Sequence, residues 1–243
     1  MSSCYGPLAQ WYDRLTEDVP YACFADLYQD EFRQRGGDFR LLLDLCCGTG
    51  TLTAEMTRRG YELIAADASE DMLMCAREKA SGLSPAPVFL CQEAAQLDLY
   101  GTVDAAYCSL DGINYIPSEE LPEVFRRLSL FVRPGGLFIF DIRPPQWLRS
   151  MDGITSVDET EDVLCLWRAD YDVEEDCLIY GMDIFSREEA MWRRSSEEHV
   201  EYAHSFEHLT ELLQQAGFCD IRLISDRPPA GEDRLFISAE RHK

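Results

Sequence analysis

Residues 1–143 alternate short apolar runs with stretches whose apolar residues recur every three or four positions. The runs that suit strands buried on both faces are Phe39–Leu45, Tyr61–Ala66, Val88–Cys91, Val103–Cys108 and Leu137–Asp141. Helical stripes lie between them, the clearest from Leu121 to Val132, and another helical pattern covers Gln10–Arg35. This alternation predicts a parallel sheet with helices on both faces, whose ligands bind at the carboxyl ends of the strands.

The pattern changes between residues 144 and 203, where no helical period is visible. Val163–Tyr171, Cys177–Phe185 and Ala190–Tyr202 read as strands, separated by turns rich in Asp, Glu and Ser. Consecutive strands with short links form an antiparallel sheet. We therefore expect residues 144–203 to form an antiparallel β cap inserted into one core, which consists of residues 1–143 and 204–243.

The core pattern resumes after the insertion. A helical stripe runs from Phe206 to Ala216, and Phe218–Ser225 and Arg234–Glu240 read as two final strands. With the first five strands, these segments predict an α/β fold with a Rossmann-like, seven-stranded mixed sheet. Its last strand is expected to be antiparallel, with helices on both faces of the sheet.

The chain is strongly acidic, with a formal net charge of -23. Such a surface repels a phosphate backbone, so we expect no nucleic-acid partner. The first ten residues lack the basic and apolar regions of a signal peptide, and no apolar run approaches the roughly 20 residues of a membrane helix. We therefore expect a cytoplasmic protein without membrane contact. No sequence feature indicates an oligomeric state.

The ten cysteines are expected to be reduced thiols in that compartment. Cys46 and Cys47 are adjacent, so they lack the two-residue gap of a zinc-binding pair, and no second pair or nearby histidine completes a site. We predict no metal centre. Cys46, Cys91 and Cys108 each fall near the end of a predicted strand, so we expect them near one edge of the sheet.

The segment Leu41–Gly50, LLLDLCCGTG, joins the first strand to a helix through a tight turn. Its glycines let a ligand approach the backbone where a Cβ would clash, and the helix start adds free N–H groups. Asp67 ends the second strand, where a carboxylate can accept hydrogen bonds from both ribose hydroxyls. Ser69 remains available to cap the next helix. These features suit a nucleoside-like cofactor.

Phosphate-binding motifs fit this segment poorly. In the GxGxxG register Cys46 replaces the first glycine and the third glycine is missing, and no Walker lysine follows. The acidic Asp44 in the loop favours a ligand with an ammonium group over one with phosphates. Asp67 by itself is compatible with either NAD or S-adenosylmethionine.

The segment LLLDLCCGTG resembles the first motif of class I S-adenosylmethionine-dependent methyltransferases, with Cys46 in place of the usual glycine. The opening YDRLTEDVPY, from Tyr12 to Tyr21, is similar to that of a subgroup of small bacterial methyltransferases with an antiparallel cap after the fifth strand. Glu198-His199 and Asp233-Arg234-Leu235 resemble two later segments of that subgroup. The resemblance spans nearly the whole chain.

The resemblance implies S-adenosyl-L-methionine as the cofactor and assigns residues to it. The implied cofactor-binding residues are Tyr12, Asp44, Cys46, Gly48, Gly50, Asp67, Ala68, Met72, Glu93, Ala94, Cys108 and Leu110. In this assignment Asp67 holds the ribose, and Met72 or Ala68 lies beside the adenine. Cys108, Ser109 and Leu110, after the fourth strand, pass under the sulfonium that carries the methyl group, and Tyr12 closes over the cofactor from the N-terminal helix.

Direct methyl transfer needs alignment and exclusion of water rather than a protein nucleophile. A base helps when the acceptor is an oxygen or a weakly acidic nitrogen. The candidate bases are Asp111, Tyr115, Glu198 and His199. The expected substrate contacts are Asn114, Tyr115, Trp167 and Tyr202.

The most consistent interpretation is a methyltransferase that acts on a small-molecule acceptor. Two alternatives remain open. An NAD-dependent oxidoreductase shares the fold, although the broken GxGxxG and the lack of a Tyr-x-x-x-Lys pair count against it. A non-catalytic S-adenosylmethionine-binding protein is the other, since Cys46 restricts the turn that holds the cofactor.

Overall fold

The structure is a computed structural model, and it describes residues 6–224 and 233–242. The first half of the chain forms α1 (Ala9–Leu15), α2 (Tyr21–Arg35), β1 (Leu41–Leu45), α3 (Thr51–Arg58), β2 (Glu62–Asp67), α4 (Glu70–Lys79), β3 (Val88–Cys91), β4 (Val103–Cys108), α5 (Leu121–Phe131) and β5 (Val132–Ile142). The second half forms α6 (Pro145–Ser150), β6 (Thr155–Glu159), β7 (Val163–Asp172), β8 (Cys177–Glu188), β9 (Met191–Tyr202), α7 (Phe206–Gln215), β10 (Phe218–Leu223) and β11 (Leu235–Arg241).

The core is a seven-stranded sheet in the order β10-β11-β5-β4-β1-β2-β3. The five strands from β1 to β5 run parallel to one another, and β11 runs antiparallel to both β5 and β10. Strand order reverses beside β1, so the ends of β1 and β4 lie at the position where such sheets bind ligands. The predicted α/β fold class is confirmed.

Helices bury both faces of this sheet. Phe125 and Leu128 of α5 and Leu209 of α7 share one buried cluster with β4 and β5. On the other face, Tyr28 of α2 and Met56 of α3 pack in a second cluster. The sheet is therefore apolar on both sides, which is why its strands read as continuous apolar runs rather than as alternating patterns.

The second sheet is antiparallel throughout, in the order β6-β7-β8-β9. Its inner face packs on the N-terminal helix, where Leu8 joins a buried cluster with Val163, Cys165, Met182 and Ile184. We call this four-stranded sheet the cap. The division of the chain into a core of residues 1–143 and 204–243 and an insertion at 144–203 stays a prediction.

Several predicted boundaries were wrong for identifiable reasons. The helical pattern over Gln10–Arg35 is two helices, because Pro20 disfavours helical backbone in the residue before it. β5 starts at Val132 rather than Leu137. The Pro-Gly-Gly segment lies within this strand, where the pairing of β5 with β4 has an irregular register. The end of the strand predicted to reach Ser225 lies outside the described residues.

Two elements were missed in the region predicted to hold only three strands. α6 begins at two prolines and has six residues, too few to show a period. All five residues of β6 are exposed, so this edge strand carries no apolar pattern. No helix among the described residues is long and apolar enough to cross a bilayer. Within the same residues, no group of three or more His, Cys, Asp or Glu side chains is arranged to hold a metal ion.

Candidate active site

A cavity of about 590 Å³ opens at the carboxyl ends of the parallel strands. This volume lies within the range of small-molecule sites. Its wall comes from the loops after β1, β2, β3 and β4 and from Tyr12 of α1 and Met72 of α4. The cavity therefore occupies the position that the strand order predicts for a ligand.

The turn after β1 holds two left-handed glycines that face different surroundings. Gly48 has φ +54°, and a Cβ there would meet nothing within 4 Å, so its backbone faces the open cavity. Gly50 has φ +69°, and its Cβ would lie 2.8 Å from the Cβ of Ala76. Gly48 thus keeps the cavity open, whereas Gly50 allows α3 to pack closely on α4.

Cys46 also adopts left-handed backbone, with φ 58°. This conformation is unfavourable for a residue with a Cβ and explains why a glycine is usual in motifs of this kind. The Cys46 side chain lies beside that of the buried Cys108 and raises the pKa of the Cys108 thiol. Cys91 does not join them, because it is exposed and its thiol donates to the carbonyl of Ala68. The expected meeting of three cysteines is therefore limited to two.

Asp67 organises the turn from the end of β2. One carboxylate oxygen accepts the N–H of Gly48 at 2.8 Å, and the other accepts the N–H of Ser69 at 2.9 Å. Burial raises the pKa of Asp67, while the backbone N–H groups act in the opposite direction. The Ser69 hydroxyl accepts the N–H of Met72 at 3.3 Å, so the predicted cap of α4 is confirmed.

The charge of the cavity wall tests which cofactor the residues fit. Four carboxylates line it, from Asp44, Asp67, Glu93 and Glu120, and its described residues include no lysine, arginine or histidine. Burial raises the pKa of Asp44 to about 7. A pyrophosphate would find no cation in this wall, whereas ribose hydroxyls, an ammonium group and a sulfonium find acceptors. The residues therefore fit S-adenosylmethionine better than a dinucleotide.

The helix α1 closes the cavity from above. Asp13 forms an ion pair of 2.6 Å with Lys79 of α4, and its other carboxylate oxygen accepts the hydroxyls of Thr49 and Thr51. Tyr12 lies in the cavity wall, and burial raises its pKa well above the usual range. These contacts hold α1 against the glycine turn. We call the contacts of Asp13 with Lys79, Thr49 and Thr51 the α1 latch.

The structure brings most of the predicted cofactor residues to one wall. Those that line the cavity are Tyr12, Asp44, Cys46, Gly48, Asp67, Ala68, Met72, Glu93, Ala94 and Leu110. Gly50 and Cys108 are absent from the described lining, since Gly50 packs on α4 and Cys108 lies fully buried behind Cys46. The role of each residue toward the cofactor stays a prediction.

The predicted bases lie in different surroundings. Tyr115 lines the cavity, and its ring makes an edge-to-face contact with the buried His199 at 6.0 Å. The Nε2 atom of His199 is 3.0 Å from the carboxylate of Glu197. Asp111 is engaged by Arg234 at 2.6 Å. Glu198 is exposed, so the acidic partner of His199 is Glu197, a residue that the sequence interpretation missed.

The residues predicted to contact the substrate also lie in different surroundings. Asn114 is fully buried, and its amide donates to the carbonyls of Arg143 and Tyr202 at 3.1 and 2.9 Å. Its carbonyl accepts the N–H of Arg143, so Asn114 ties the cap to the core, a position that does not support substrate contact. Tyr202 stacks on His204, and Trp167 packs on α1.

Two further residues of the cap were missed, the buried Glu201 and the partly buried Tyr180. Glu201 is 4% exposed, and Tyr180 stands opposite His199 in the β8–β9 pair. The spacing Glu197-x-His199-x-Glu201 was the available signal, because alternate residues of a strand share one face.

Known proteins support the chemistry that this geometry suggests. Residues 42–136 match the model of the methyltransferase domain family. Over 98% of both chains, the protein is 27% identical to YqeM of Bacillus subtilis (strain 168), whose assignment as a methyltransferase is provisional.

Two solved structures are similar over nearly the whole chain. One is an S-adenosylmethionine-dependent methyltransferase from Clostridium acetobutylicum ATCC 824, with a TM-score of 0.84, 26% identity and coverage of 99% of this chain and 100% of that chain. The other is an S-adenosylmethionine-bound amino pentose methyltransferase from Micromonospora echinaspora, 19% identical, with a TM-score of 0.78 over 99% of both chains. At that identity, the second similarity shows the fold alone.

This chain is an S-adenosylmethionine-dependent methyltransferase. Its cofactor is S-adenosyl-L-methionine, which supplies the methyl group when bound. The predicted enzyme class and cofactor are confirmed, and the NAD-dependent oxidoreductase that the sequence left open is excluded.

Proposed function

We propose that this methyltransferase acts on a small molecule, which binds between the cofactor cavity and the inner face of the cap. The observation that carries the proposal is the contact between Tyr115 and His199. Tyr115 belongs to the wall of the cofactor cavity and His199 to the cap, so the cap lies directly beside the predicted methyl end of the cofactor.

The closure of the site supports an acceptor of limited size. α1 is latched to α4 and is also tied to the cap, where Arg14 pairs with Asp162 at 2.6 Å and the N–H of Leu8 donates to Glu197. A folded protein surface or a duplex would have to displace both connections to reach the cavity. The net charge of -23 further disfavours a nucleic acid.

The roles predicted for the cavity residues form part of the proposal. Asp67 receives the ribose hydroxyls, the Gly48 turn passes along the methionine end, and Met72 and Ala94 form apolar walls for the adenine. Tyr115 faces the acceptor. In this arrangement the protein aligns the two reactants and excludes water, which are the main contributions that methyl transfer requires.

The test combines binding and turnover. Calorimetry should give a Kd for S-adenosylmethionine in the micromolar range and no measurable binding of NAD. Transfer of a labelled methyl group should then be followed over a panel of small amines, alcohols and carboxylic acids, with a protein and an RNA fraction alongside. Labelling of a small acceptor, lost in Tyr115→Ala while cofactor binding is kept, is the expected result. Labelling of the protein or RNA fraction alone would refute the proposal.

A further inference from the structure

One row of side chains on the inner face of the cap is polar in an otherwise apolar surface. Alternate residues of β9 place Glu197, His199 and Glu201 on this face, and all three side chains are at least nine-tenths buried. Opposite them, β8 contributes Leu178 and Tyr180. Buried polar groups in such a setting are normally hydrogen-bonded, so each member of the row needs a partner.

Two members of the row satisfy each other. The ring of His199 is 3.0 Å from one carboxylate oxygen of Glu197, and the other oxygen of Glu197 accepts the N–H of Leu8 at 2.7 Å. Glu201 differs, because its Oε2 atom is buried and has no hydrogen-bond partner among the described residues. An unpartnered buried carboxylate oxygen is unfavourable, which points to a missing donor.

The charges around Glu201 indicate the kind of donor. The charged and titratable groups that face it are Asp111, Tyr115, Arg143, Tyr180 and Arg234. Both guanidinium groups are already paired: Arg234 bridges Asp111 and Asp141, and Arg143 pairs with Asp233. With Glu201, the cluster holds four carboxyl groups, those of Asp111, Asp141, Asp233 and Glu201, and two guanidinium groups, so it favours an additional positive charge.

Glu201 is also adjacent to the cofactor cavity. Tyr115 lines that cavity, and it lies close enough to the Glu201 carboxyl group to lower the pKa of that group. An acceptor that lies against Tyr115 can therefore reach Glu201 while its reacting atom faces the predicted methyl position. This places the unpartnered oxygen at the acceptor end of the site rather than at the adenosine end.

We propose that Glu201 binds the protonated amino group of an amine acceptor and takes a proton from it, so that the enzyme is an N-methyltransferase. The inference rests on the proposed function and specifies its acceptor. In the proton step R–NH₃⁺ and the carboxylate become R–NH₂ and the carboxylic acid. The nitrogen lone pair then forms the N–C bond as the C–S bond of the cofactor breaks, and the electron pair of the C–S bond stays on sulfur.

The protonation behaviour of the site agrees with this role. Burial, with Asp111 nearby, raises the pKa of Glu201 well above its usual range. A carboxyl group with a raised pKa is a stronger base, and a base near neutral pH is the most effective one. An arriving ammonium group would lower that pKa again and favour the charged pair.

The experiment uses the full chain saturated with S-adenosylhomocysteine. The probes are matched pairs with one skeleton: glucosamine and glucose, ethanolamine and ethylene glycol, and phenylethylamine and phenylethanol. At least one amine should bind ten times more tightly than its alcohol. Glu201→Gln should reduce that preference at least tenfold and leave the Kd for S-adenosylhomocysteine unchanged. Glu175→Gln, an exposed position in the same cap, is the matched control.

The outcomes separate this inference from the proposed function. Equal binding of amines and alcohols, or a preference that survives in Glu201→Gln, would overturn the role of Glu201. Turnover on a small alcohol or acid alone would do the same while the proposed function stands. If Glu201→Gln does not fold, the wild type decides: amine affinity must rise with pH as Glu201 loses its proton, and a flat profile between about pH 6 and 9 overturns the inference.

Discussion

Replacement of Asp67 by asparagine tests the assignment on which the cofactor geometry depends. In the structure each carboxylate oxygen already accepts one backbone N–H, from Gly48 and from Ser69. Each oxygen has a second lone pair available for a ribose hydroxyl. Asparagine keeps the size of the side chain, removes the charge and replaces one acceptor oxygen by a donor.

The magnitude follows from the bonds lost. A hydrogen bond to a charged group contributes about 1.5–3 kcal/mol, and asparagine removes at least one such bond to the ribose. Since about 1.4 kcal/mol is tenfold in affinity, the Kd for S-adenosylmethionine should rise between about 10-fold and 150-fold. One backbone N–H of the turn also loses its acceptor, so the free energy of unfolding should fall by about 1–3 kcal/mol.

Calorimetric titration and urea unfolding measure the two effects separately. Asp71→Asn, at an exposed position in the first turn of α4, should change neither quantity appreciably. Because burial raises the pKa of Asp67, wild-type affinity should also fall as the pH drops through that raised value, and the variant should not follow. A folded Asp67→Asn protein that binds the cofactor within about threefold of the wild type would refute the ribose assignment.

Three further substitutions test the latch, the buried ion pair and the turn. Lys79→Ala removes a partly exposed ion pair with Asp13, so the Kd for the cofactor should rise about two- to fivefold. Amide hydrogen exchange in α1 should become faster, and an unchanged exchange rate would contradict the proposed role of the α1 latch. Arg234→Leu leaves the buried Asp141 without its cation, and urea unfolding should show a loss of about 3–5 kcal/mol. Burial raises the pKa of Asp141, so the loss of unfolding free energy should become smaller as the pH falls through that raised pKa. A loss that does not change with pH would count against the role of the buried Asp141 charge. Cys46→Val should be less stable than Cys46→Gly by about 1–2 kcal/mol in thermal unfolding, because the turn requires left-handed backbone; equal stability would argue against that strain.

The fold was predictable because its core strands are apolar on both faces and alternate with amphipathic helices. Local pattern alone fixes such elements, and right-handed crossovers limit the ways to connect them. The elements that the sequence interpretation missed lack this signal. β6 is exposed along its whole length, and the two prolines before α6 resemble a turn.

The candidate site was predictable where chemistry follows directly from chain position. Asp67 and Gly48 lie next to each other because the ends of adjacent parallel strands meet. Both are recognisable in the sequence, Gly48 in the turn after the first strand and Asp67 as the acidic residue that ends the second. The positions of Glu201 and Asn114 depend on how the cap sits on the core. Alternation along β9 places Glu201 on one face of the strand, but it does not indicate what that face packs against. Asn114 was predicted to contact substrate, yet its amide is fully used in joining β9 to the end of β5.

The latched helix α1 has a thermodynamic consequence for the two ligands. The same seven residues contact the glycine turn through Asp13 and the cap through Arg14, so one element borders both the cofactor and the proposed acceptor position. A ligand that orders α1 reduces the entropic cost of ordering it for the other ligand. Such coupling is reciprocal: an acceptor that tightens the hold on the cofactor must itself bind more tightly when the cofactor is present. The enzyme would then favour the ternary complex over either binary one.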